Sequence, residues 1–196
     1  PPHTSLPSAA SWAAQETREG EQLFFSGGDI ECAFYRMEVP PAARKFMCLP
    51  PVRAKFLGKR IFVDGVEVHP DSFVSPQLCV LPMGWSWALW ICQMLHEHVG
   101  ITVGEQECDQ IHDKTIPRPL QTHDAIHGKY VDNFLSMSHD PAQSSRSATA
   151  LRHGLESRGL SCHEQEDALL YTTFAGLDFN GLRSTVRVSR RRTWRL

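Results

Sequence analysis

A chain of 196 residues is long enough for one domain with its own hydrophobic core. Apolar residues make up 41% of it and charged residues 21%, which excludes a disordered or fibrous protein. No apolar run reaches the roughly 18 residues of a membrane span, and the first residues lack the basic and apolar segments of a signal peptide. We therefore expect an intracellular chain without a membrane partner.

The predicted elements begin with a helix over Ala9–Glu19 that is capped by Ser8. A short strand over Leu23–Ser26 runs into Gly27-Gly28-Asp29. A helix over residues 31–38 is stopped by two prolines, and residues 46–49 are strand-like. The run Arg60–Val68 predicts a hairpin, because two β-branched segments flank an Asp-Gly pair that suits a tight two-residue turn.

The second half of the chain begins with a predicted strand over Gln77–Leu81 and a buried helix over Gly84–Val99. Residues 100–125 are polar and predict a long loop. A second hairpin is expected around Asp132-Asn133, with strands over Ile126–Val131 and Phe134–Ser138. A helix then runs from Pro141 to about Ser157, closed by Gly159.

Three short strands complete the pattern, at Ser161, Leu169–Ala175 and Val186–Val188. The alternation of helices with hairpins predicts an α+β fold with a mainly antiparallel sheet and helices packed on one face. We divide the chain into an N-terminal helix and linker (1–22), a main domain (23–181) and a basic C-terminal tail (182–196).

The charge of the chain is unevenly distributed. The net charge of −2 argues against nucleic-acid binding over the whole surface. The last ten residues nevertheless contain five arginines and no acid: Arg187, Arg190, Arg191, Arg192 and Arg195. This tail is interpreted either as a phosphate-binding segment or as a solvated run of charge.

Cysteine and histidine patterns do not indicate a metal site. None of the six cysteines forms a Cys-x-x-Cys pair, so free thiols are expected. The pair in His96-Glu97-His98 lacks the gap of four residues that places two ligands on one face of a helix.

The segment from Gly28 to Met37 (Gly-Asp-Ile-Glu-Cys-Ala-Phe-Tyr-Arg-Met) resembles the first palm motif of reverse transcriptases. The resemblance implies that Asp29 is a metal ligand and that the carbonyl of Ile30 faces the same metal. It places Phe34 beneath the incoming sugar, where an aromatic ring excludes a 2′-hydroxyl. Taken alone, the segment is equally consistent with a strand end followed by an N-cap aspartate.

The string Leu81-Pro82-Met83-Gly84-Trp85 with Gln93 resembles the second palm motif, a turn that opens a long helix. The resemblance places Met83 in the nucleotide pocket. It also implies that Gly84 lets backbone amides approach the nucleotide, since a side chain there would not fit. The alternative is a buried helix with a proline-glycine start.

The segment Lys129-Tyr130-Val131-Asp132-Asn133 resembles the Tyr-x-Asp-Asp hairpin of the same family, with one departure. Asp132 corresponds to the aspartate that joins Asp29 at the metals, and Tyr130 to a nucleotide-binding position. Asn133 stands where a second aspartate is usual. Because the amide keeps an oxygen and loses the charge, we expect weaker metal binding. As a plain turn, Asp-Asn needs no function.

Two further segments follow in the order of the family. Residues 151–160 are similar to the fourth motif, after which a lysine often donates a proton to pyrophosphate. No lysine follows Lys129, and His163 is the titratable group nearest that place, although an exposed histidine without this role fits as well. Thr173–Phe179 resembles the primer-grip hairpin, with Phe174 and Gly176 at its turn.

The resemblance covers residues 23–181 and implies a polymerase palm that acts on dNTP with an RNA or DNA template and a primer. Two divalent cations, Mg²⁺ or Mn²⁺, would be held by Asp29, Ile30, Asp132 and Asn133. Only 28 residues precede Asp29. We therefore expect the chain to be a fragment of a retroelement polyprotein, with a fingers remnant in residues 1–22.

Three interpretations stay open at this point. The chain is an active RNA-directed DNA polymerase, or it is an inactive remnant that keeps the fold, with or without nucleic-acid binding. The third interpretation is an unrelated α+β protein, which would be favoured if the carboxylates of Asp29 and Asp132 lay on opposite faces of the sheet.

Overall fold

The computed structural model describes residues 2–115 and 118–189, in which helices and antiparallel strands alternate. The helices are α1 (Ala9–Ala13), α2 (Ala33–Arg36), α3 (Pro41–Arg44), α4 (Ala88–Thr102) and α5 (Pro141–Glu156). The strands are β1 (Phe24–Ile30), β2 (Val52–Arg53), β3 (Phe62–Val63), β4 (Val66–Glu67), β5 (Phe73–Val74), β6 (Ile126–Tyr130), β7 (Asn133–Ser138), β8 (Cys162–Leu169), β9 (Tyr171–Phe174), β10 (Leu177–Asn180) and β11 (Thr185–Val188).

The chain forms two compact units. The first comprises the residues up to 33 together with those from 89 onward, and the second comprises residues 34–88. The mixture of helices with antiparallel sheets confirms the predicted α+β class. Within the described residues, no helix is both long enough and apolar enough to cross a membrane.

The first unit is built on a four-stranded sheet with the order β6-β7-β1-β8, in which every pair is antiparallel. Strand β1 lies inside this sheet, where two glycines allow close packing. A Cβ at Gly27 would collide with the carbonyl oxygen of Phe134, and a Cβ at Gly28 would lie 3.1 Å from the Phe134 ring. Bulkier residues would therefore separate β1 from β7.

Alternation along β1 and β7 gives the sheet two different faces. On one face, α5 packs against Ser26, whose hydroxyl accepts hydrogen bonds from Ser144 and from the Ala168 N–H, both at 2.9 Å. Phe134 on the same face meets His96 of α4 edge-on, with the ring centroids 5.8 Å apart. Both long helices therefore lie on one face of the sheet, as predicted, whereas α1 lies on the other face.

The opposite face is covered by α1 and by a second sheet, with the order β11-β10-β9. Phe25 points from β1 into this apolar layer, where its ring centroid lies 5.5 Å from that of Phe179. Trp12 of α1 packs edge-on against Phe174 and Phe179 at 5.9 and 5.1 Å. These aromatic rings are buried in one cluster with aliphatic side chains of both sheets, and the burial stabilises the packing of the two sheets.

Two predicted helices are shorter in the structure. Helix α1 ends at Ala13 and not near Glu19, because the chain turns away and the Glu16 carbonyl accepts a hydrogen bond from Leu120 N–H at 3.0 Å. Helix α2 has a single turn, since Val39 N–H bonds to the Cys79 carbonyl at 2.8 Å. In both cases a distant backbone partner replaces the next helical hydrogen bond.

Helix α4 begins later than predicted. Gly84 has a φ of +91°, which a right-handed helix excludes, and the helix starts at Ala88. It was predicted to be buried, yet Leu89 and Met94 are 39% and 44% exposed. Helix α5 begins as predicted at Pro141, with Asp140 as its N-cap.

The strands that follow α5 differ from the prediction in number and length. The segment Cys162–Leu169 forms one eight-residue strand. Leu177–Asn180 forms a strand that the local pattern did not predict and that only the resemblance to the primer-grip hairpin implied. The first is an edge strand whose polar, mostly exposed residues lack the apolar alternation that marks a strand. Thr185–Val188 pairs with β10, so the segment designated as a tail begins inside a sheet, and its last four arginines lie outside the described residues.

Within residues 34–88, the predicted hairpin is confirmed. Val63 pairs with Val66 across Asp64 and Gly65, whose φ values are +50° and +79°. The strands predicted at residues 46–49 and 77–81 are reduced to isolated bridges, between Cys48 and Gln77 and between Glu38 and Val80. These segments are extended and lack the continuous ladder of a sheet.

Candidate functional site

Asp29 occupies the next-to-last position of β1, inside the four-stranded sheet. Its backbone pairs with Asn133 of β7 on one side and with His163 of β8 on the other. The aspartate side chain is 20% exposed. The sheet therefore presents a partly desolvated carboxylate at the end where the β6–β7 hairpin turns.

The hairpin between β6 and β7 has Val131 and Asp132 as its two central residues, because Tyr130 pairs with Asn133. The turn was predicted around Asp132-Asn133 and is shifted by one residue, so Asn133 is the first residue of β7. Val131 has a φ of +61°, a value that is rare for a β-branched residue. Asp132 and Asn133 are both half-buried.

A backbone hydrogen bond joins the two predicted metal-binding segments. The Ile30 N–H donates to the Asp132 carbonyl oxygen at 3.0 Å, and Asp29 faces Asn133 across the ladder. The Asn133 amide donates to Asp132 Oδ1 at 2.9 Å. The structure therefore brings Asp29, Ile30, Asp132 and Asn133 together, although they are about a hundred positions apart in the chain.

The electrostatics of the site show that the charge of Asp132 acts on the ionisation of Asp29. The pKa of Asp29 is raised above its ordinary value, first by burial and then by the negative charge of Asp132. Glu164 raises it further, whereas His163 and a hydrogen bond from Asn133 lower it. The His163 ring nitrogen Nε2 lies 3.6 Å from Asp29 Oδ1. Two repelling carboxylates of this kind form a local excess of negative charge.

The negative charges of Asp29 and Asp132 also act on the thiol of Cys92 in α4. Burial, followed by the charges of Asp132 and Asp29, raises the pKa of the Cys92 thiol to about 12. Its Sγ donates to the Val131 carbonyl at 3.5 Å. The thiol is therefore protonated at neutral pH and acts as a packing group and weak donor.

Three of the predicted nucleotide-binding residues belong to the unit of residues 34–88. Phe34 is half-buried in α2. Met83 is 65% exposed, and its sulfur accepts a hydrogen bond from the Tyr35 hydroxyl at 3.6 Å. Gly84 has open space where a Cβ would stand, so its φ of +91°, and not crowding by the chain, explains the glycine.

The remaining predicted residues lie in the first unit. Tyr130 is half-buried and packs against the apolar cluster that contains Trp12. Phe174 is 3% exposed in the same cluster, and Gly176 has a φ of +80° in the turn between β9 and β10. The predicted hairpin is present, and the Phe174 ring is a core residue.

Sequence reasoning missed a set of buried polar residues around the turn. Gln93 and His96 of α4 contact the backbone of residues 129–131, and Lys129 forms a buried ion pair with Glu105. The sequence indicated Gln93 only as the last residue of the second motif and predicted none of its hydrogen bonds. A lysine inside an apolar strand pattern was the available signal for the ion pair, because a buried lysine requires a partner.

Carboxylate oxygens are the side-chain groups with which this site could hold a divalent cation. Within the described residues, no group of three or more His, Cys, Asp and Glu side chains is arranged to hold a metal ion. Mg²⁺ is commonly held by only one or two carboxylates, with water and substrate phosphates completing its shell. Asp29 and Asp132 are the two carboxylates that could supply such ligands, since the charge of Asp132 acts on Asp29.

Comparison with known proteins identifies no family for this chain. None of the protein-family models that were compared matches the sequence, and no curated protein is significantly similar to it.

Proposed function

We propose that the chain is the palm of an RNA-directed DNA polymerase of the retroelement type, with a nucleotidyl-transfer centre at Asp29 and Asp132. One observation carries this proposal. The Ile30 N–H bonds to the Asp132 carbonyl oxygen at 3.0 Å, so two aspartates that the resemblance pairs lie at one end of one sheet. The antiparallel sheet with α4 and α5 on one face supports the proposal, because the resemblance implies a sheet with helices on one face.

Each residue has a distinct part in this mechanism. Asp29 and Asp132 would supply the carboxylate oxygens that hold divalent cations, and the pairing of β1 with β7 would fix Asp29 beside the turn before substrate arrives. Such cations would lower the pKa of a primer hydroxyl and neutralise the charge of the triphosphate and the leaving pyrophosphate. Asn133 supplies no charge, and its amide group orients the Asp132 carboxylate through the 2.9 Å hydrogen bond.

A catalytically inactive palm is the second candidate, and Asn133 is the observation that favours it. The position next to Asp132 carries an amide, which donates to Asp132 Oδ1 and adds no negative charge to the site. Two carboxylates hold less negative charge than three, and metal affinity depends on the charge of the ligands. An inactive palm would keep the fold and bind nucleic acid without extending a primer.

Primer extension with an RNA template, dNTP and Mg²⁺ or Mn²⁺ tests the first proposal. Asp29→Ala and Asp132→Ala are expected to lower the rate by about a hundredfold or more, because each removes several kcal/mol of metal-dependent stabilisation. Asp64→Ala is the matched control, since it removes a carboxylate from the exposed turn of another hairpin. Equal activity in all three variants would refute the assignment.

Asn133→Asp separates the two candidates. For an active polymerase, the added charge is expected to raise the rate at limiting Mg²⁺ and to lower the concentration of Mg²⁺ at half-maximal rate. For an inactive palm, no nucleotide is incorporated at high Mn²⁺ and Asn133→Asp restores nothing. A gel-shift measurement with a primer–template duplex then shows whether binding persists.

A further inference from the structure

The turn that carries Asp132 has an unusual residue at its first central position. A two-residue hairpin in which only the first central residue has a positive φ normally has glycine there. Val131 occupies that position with a φ of +61° and is 7% exposed. Because valine is branched at Cβ, the turn itself does not favour this conformation. Contacts from elsewhere in the fold must stabilise it.

Gln93 of α4 makes contacts that fit this need. Its Oε1 accepts a hydrogen bond from the Val131 N–H at 2.8 Å. Its Nε2 donates to the Lys129 carbonyl oxygen at 3.1 Å and to Glu97 Oε1 at 2.8 Å. The acceptor and both donor hydrogens of the amide are therefore used, and the side chain is 1% exposed.

The hydrogen-bond partners of Gln93 allow only one assignment of its amide oxygen and nitrogen. The Lys129 carbonyl and the Glu97 carboxylate are both acceptors, so Nε2 must face them and Oε1 must face Val131. Gln110 also donates to Glu97 Oε1, at 2.9 Å, which holds that carboxylate in place. The Gln93 amide is thus preorganised to bind the two backbone groups that flank Tyr130, which are the Lys129 carbonyl and the Val131 N–H.

Two neighbours of Gln93 on α4 complete the contact with Val131. The His96 ring nitrogen Nδ1 lies 3.0 Å from the Val131 carbonyl oxygen, and the Cys92 thiol donates to the same oxygen at 3.5 Å. The N–H and the carbonyl of Val131 are therefore both held by one helix. The next residue in the chain is Asp132.

We propose that Gln93 is a positioning residue that holds Val131 in the left-handed conformation and thereby fixes Asp132 in the site. This inference rests on the proposed function for its catalytic consequence, but the hydrogen bond itself is testable without activity. Gln93 does not touch the reacting atoms, and it acts through the backbone of the turn.

Amide hydrogen exchange followed by NMR tests the hydrogen bond. In Gln93→Leu, which keeps similar volume and removes the acceptor, the Val131 amide is expected to exchange about tenfold faster or more, because a buried donor loses its partner. The paired residues Gly128 and Leu135 should keep their protection. The proposal is overturned if Val131 exchange is unchanged in a folded Gln93→Leu protein.

A further variant separates the acceptor from general packing. Gln110→Leu removes a buried amide that bonds to the same Glu97, and it should leave Val131 protected. A loss of Val131 protection in Gln110→Leu as large as the loss in Gln93→Leu would contradict the proposal.

A measurement on the unaltered protein covers the case in which Gln93→Leu does not fold. Both Nε2 hydrogens of Gln93 should exchange about tenfold more slowly, or more, than those of exposed Gln165. Exchange at the rate of Gln165 would overturn the inference.

Primer extension then tests the catalytic consequence. Gln93→Leu is expected to lower kcat about tenfold while KM for dNTP stays unchanged, since the substrate contacts are intact. An unchanged kcat in Gln93→Leu would refute the positioning role. If the unaltered protein extends no primer, the proposed function fails, whereas the Val131 exchange still decides whether Gln93 holds the turn.

Discussion

Two hairpins with two-residue turns show how differently this chain determines the same kind of structure. The β3–β4 hairpin turns at Asp64 and Gly65, which both have positive φ, and its strand residues are exposed. The β6–β7 hairpin turns at Val131 and Asp132, with strands that are buried along most of their length. The first has the residues that its turn prefers, and the second does not.

The difference follows from where the stabilising free energy originates. In the β3–β4 hairpin, the backbone preference of an Asp-Gly pair is sufficient, and few side chains are buried. In the β6–β7 hairpin, a valine is held at positive φ by contacts with α4, while a buried ion pair lies beside the strand. A strained backbone conformation persists only where the surrounding structure stabilises it, and such conformations cluster at functional sites.

The largest expected effect comes from the ion pairs of the two hairpins. Glu105→Ala leaves the Lys129 ammonium buried without its carboxylate, and the free energy of unfolding should fall by about 3–5 kcal/mol. Glu67→Ala removes the partner of Arg60 at 2.8 Å, where the side chains are 46% and 77% exposed, and should cost at most about 1 kcal/mol. Chemical denaturation measures both. An equal fall in the free energy of unfolding in the two variants would show that the buried ion pair stabilises the fold no more than the exposed one.

A smaller effect is expected from adding one methyl group to each hairpin. In Gly128→Ala, the new Cβ collides with the Trp12 ring, and overpacking should cost about 3 kcal/mol. In Gly65→Ala the Cβ meets open space, and only the φ of +79° opposes it, at about 1 kcal/mol. The Trp12 indole N–H resonance should shift only in Gly128→Ala. A shift in both variants would contradict this account.

The smallest expected effect is a dependence of stability on pH in the absence of divalent cations. Because the pKa of Asp29 is raised in the folded protein, its ionised form costs stability at pH 7. Asp29→Asn should therefore be more stable than the unaltered chain at pH 7. This advantage should disappear below the ordinary pKa of 3.8, where the carboxyl is neutral in both states.

The control and the metal dependence sharpen this last prediction. Asp64→Asn changes an exposed turn residue and should alter the free energy of unfolding by less than about 0.5 kcal/mol. Added Mg²⁺ should stabilise the unaltered chain and leave Asp29→Asn unchanged, since binding to the folded state shifts the unfolding equilibrium. An Asp29→Asn variant that is less stable at pH 7 would contradict the repulsion between Asp29 and Asp132.

Local patterns predicted the elements whose stabilising interactions lie close together in the sequence. The Asp64-Gly65 turn and the start of α5 behind Asp140 belong to this group. The edge strand β8 could not be predicted, because its polar residues owe their extended conformation to backbone pairing with β1. The early end of α1 likewise depends on a hydrogen bond from Leu120, about a hundred positions away.

The sequence by itself determined the α+β class and the hairpins, since turn residues and periodicity act through local chemistry. The two aspartates became candidate ligands through the resemblance of their segments to palm motifs. Only the tertiary structure decided that Asp29 and Asp132 share one end of a sheet, that the turn is centred on Val131, and that Gln93 holds it. These features depend on strand register and on buried hydrogen bonds between distant segments. A single sequence does not encode such pairings in any local pattern.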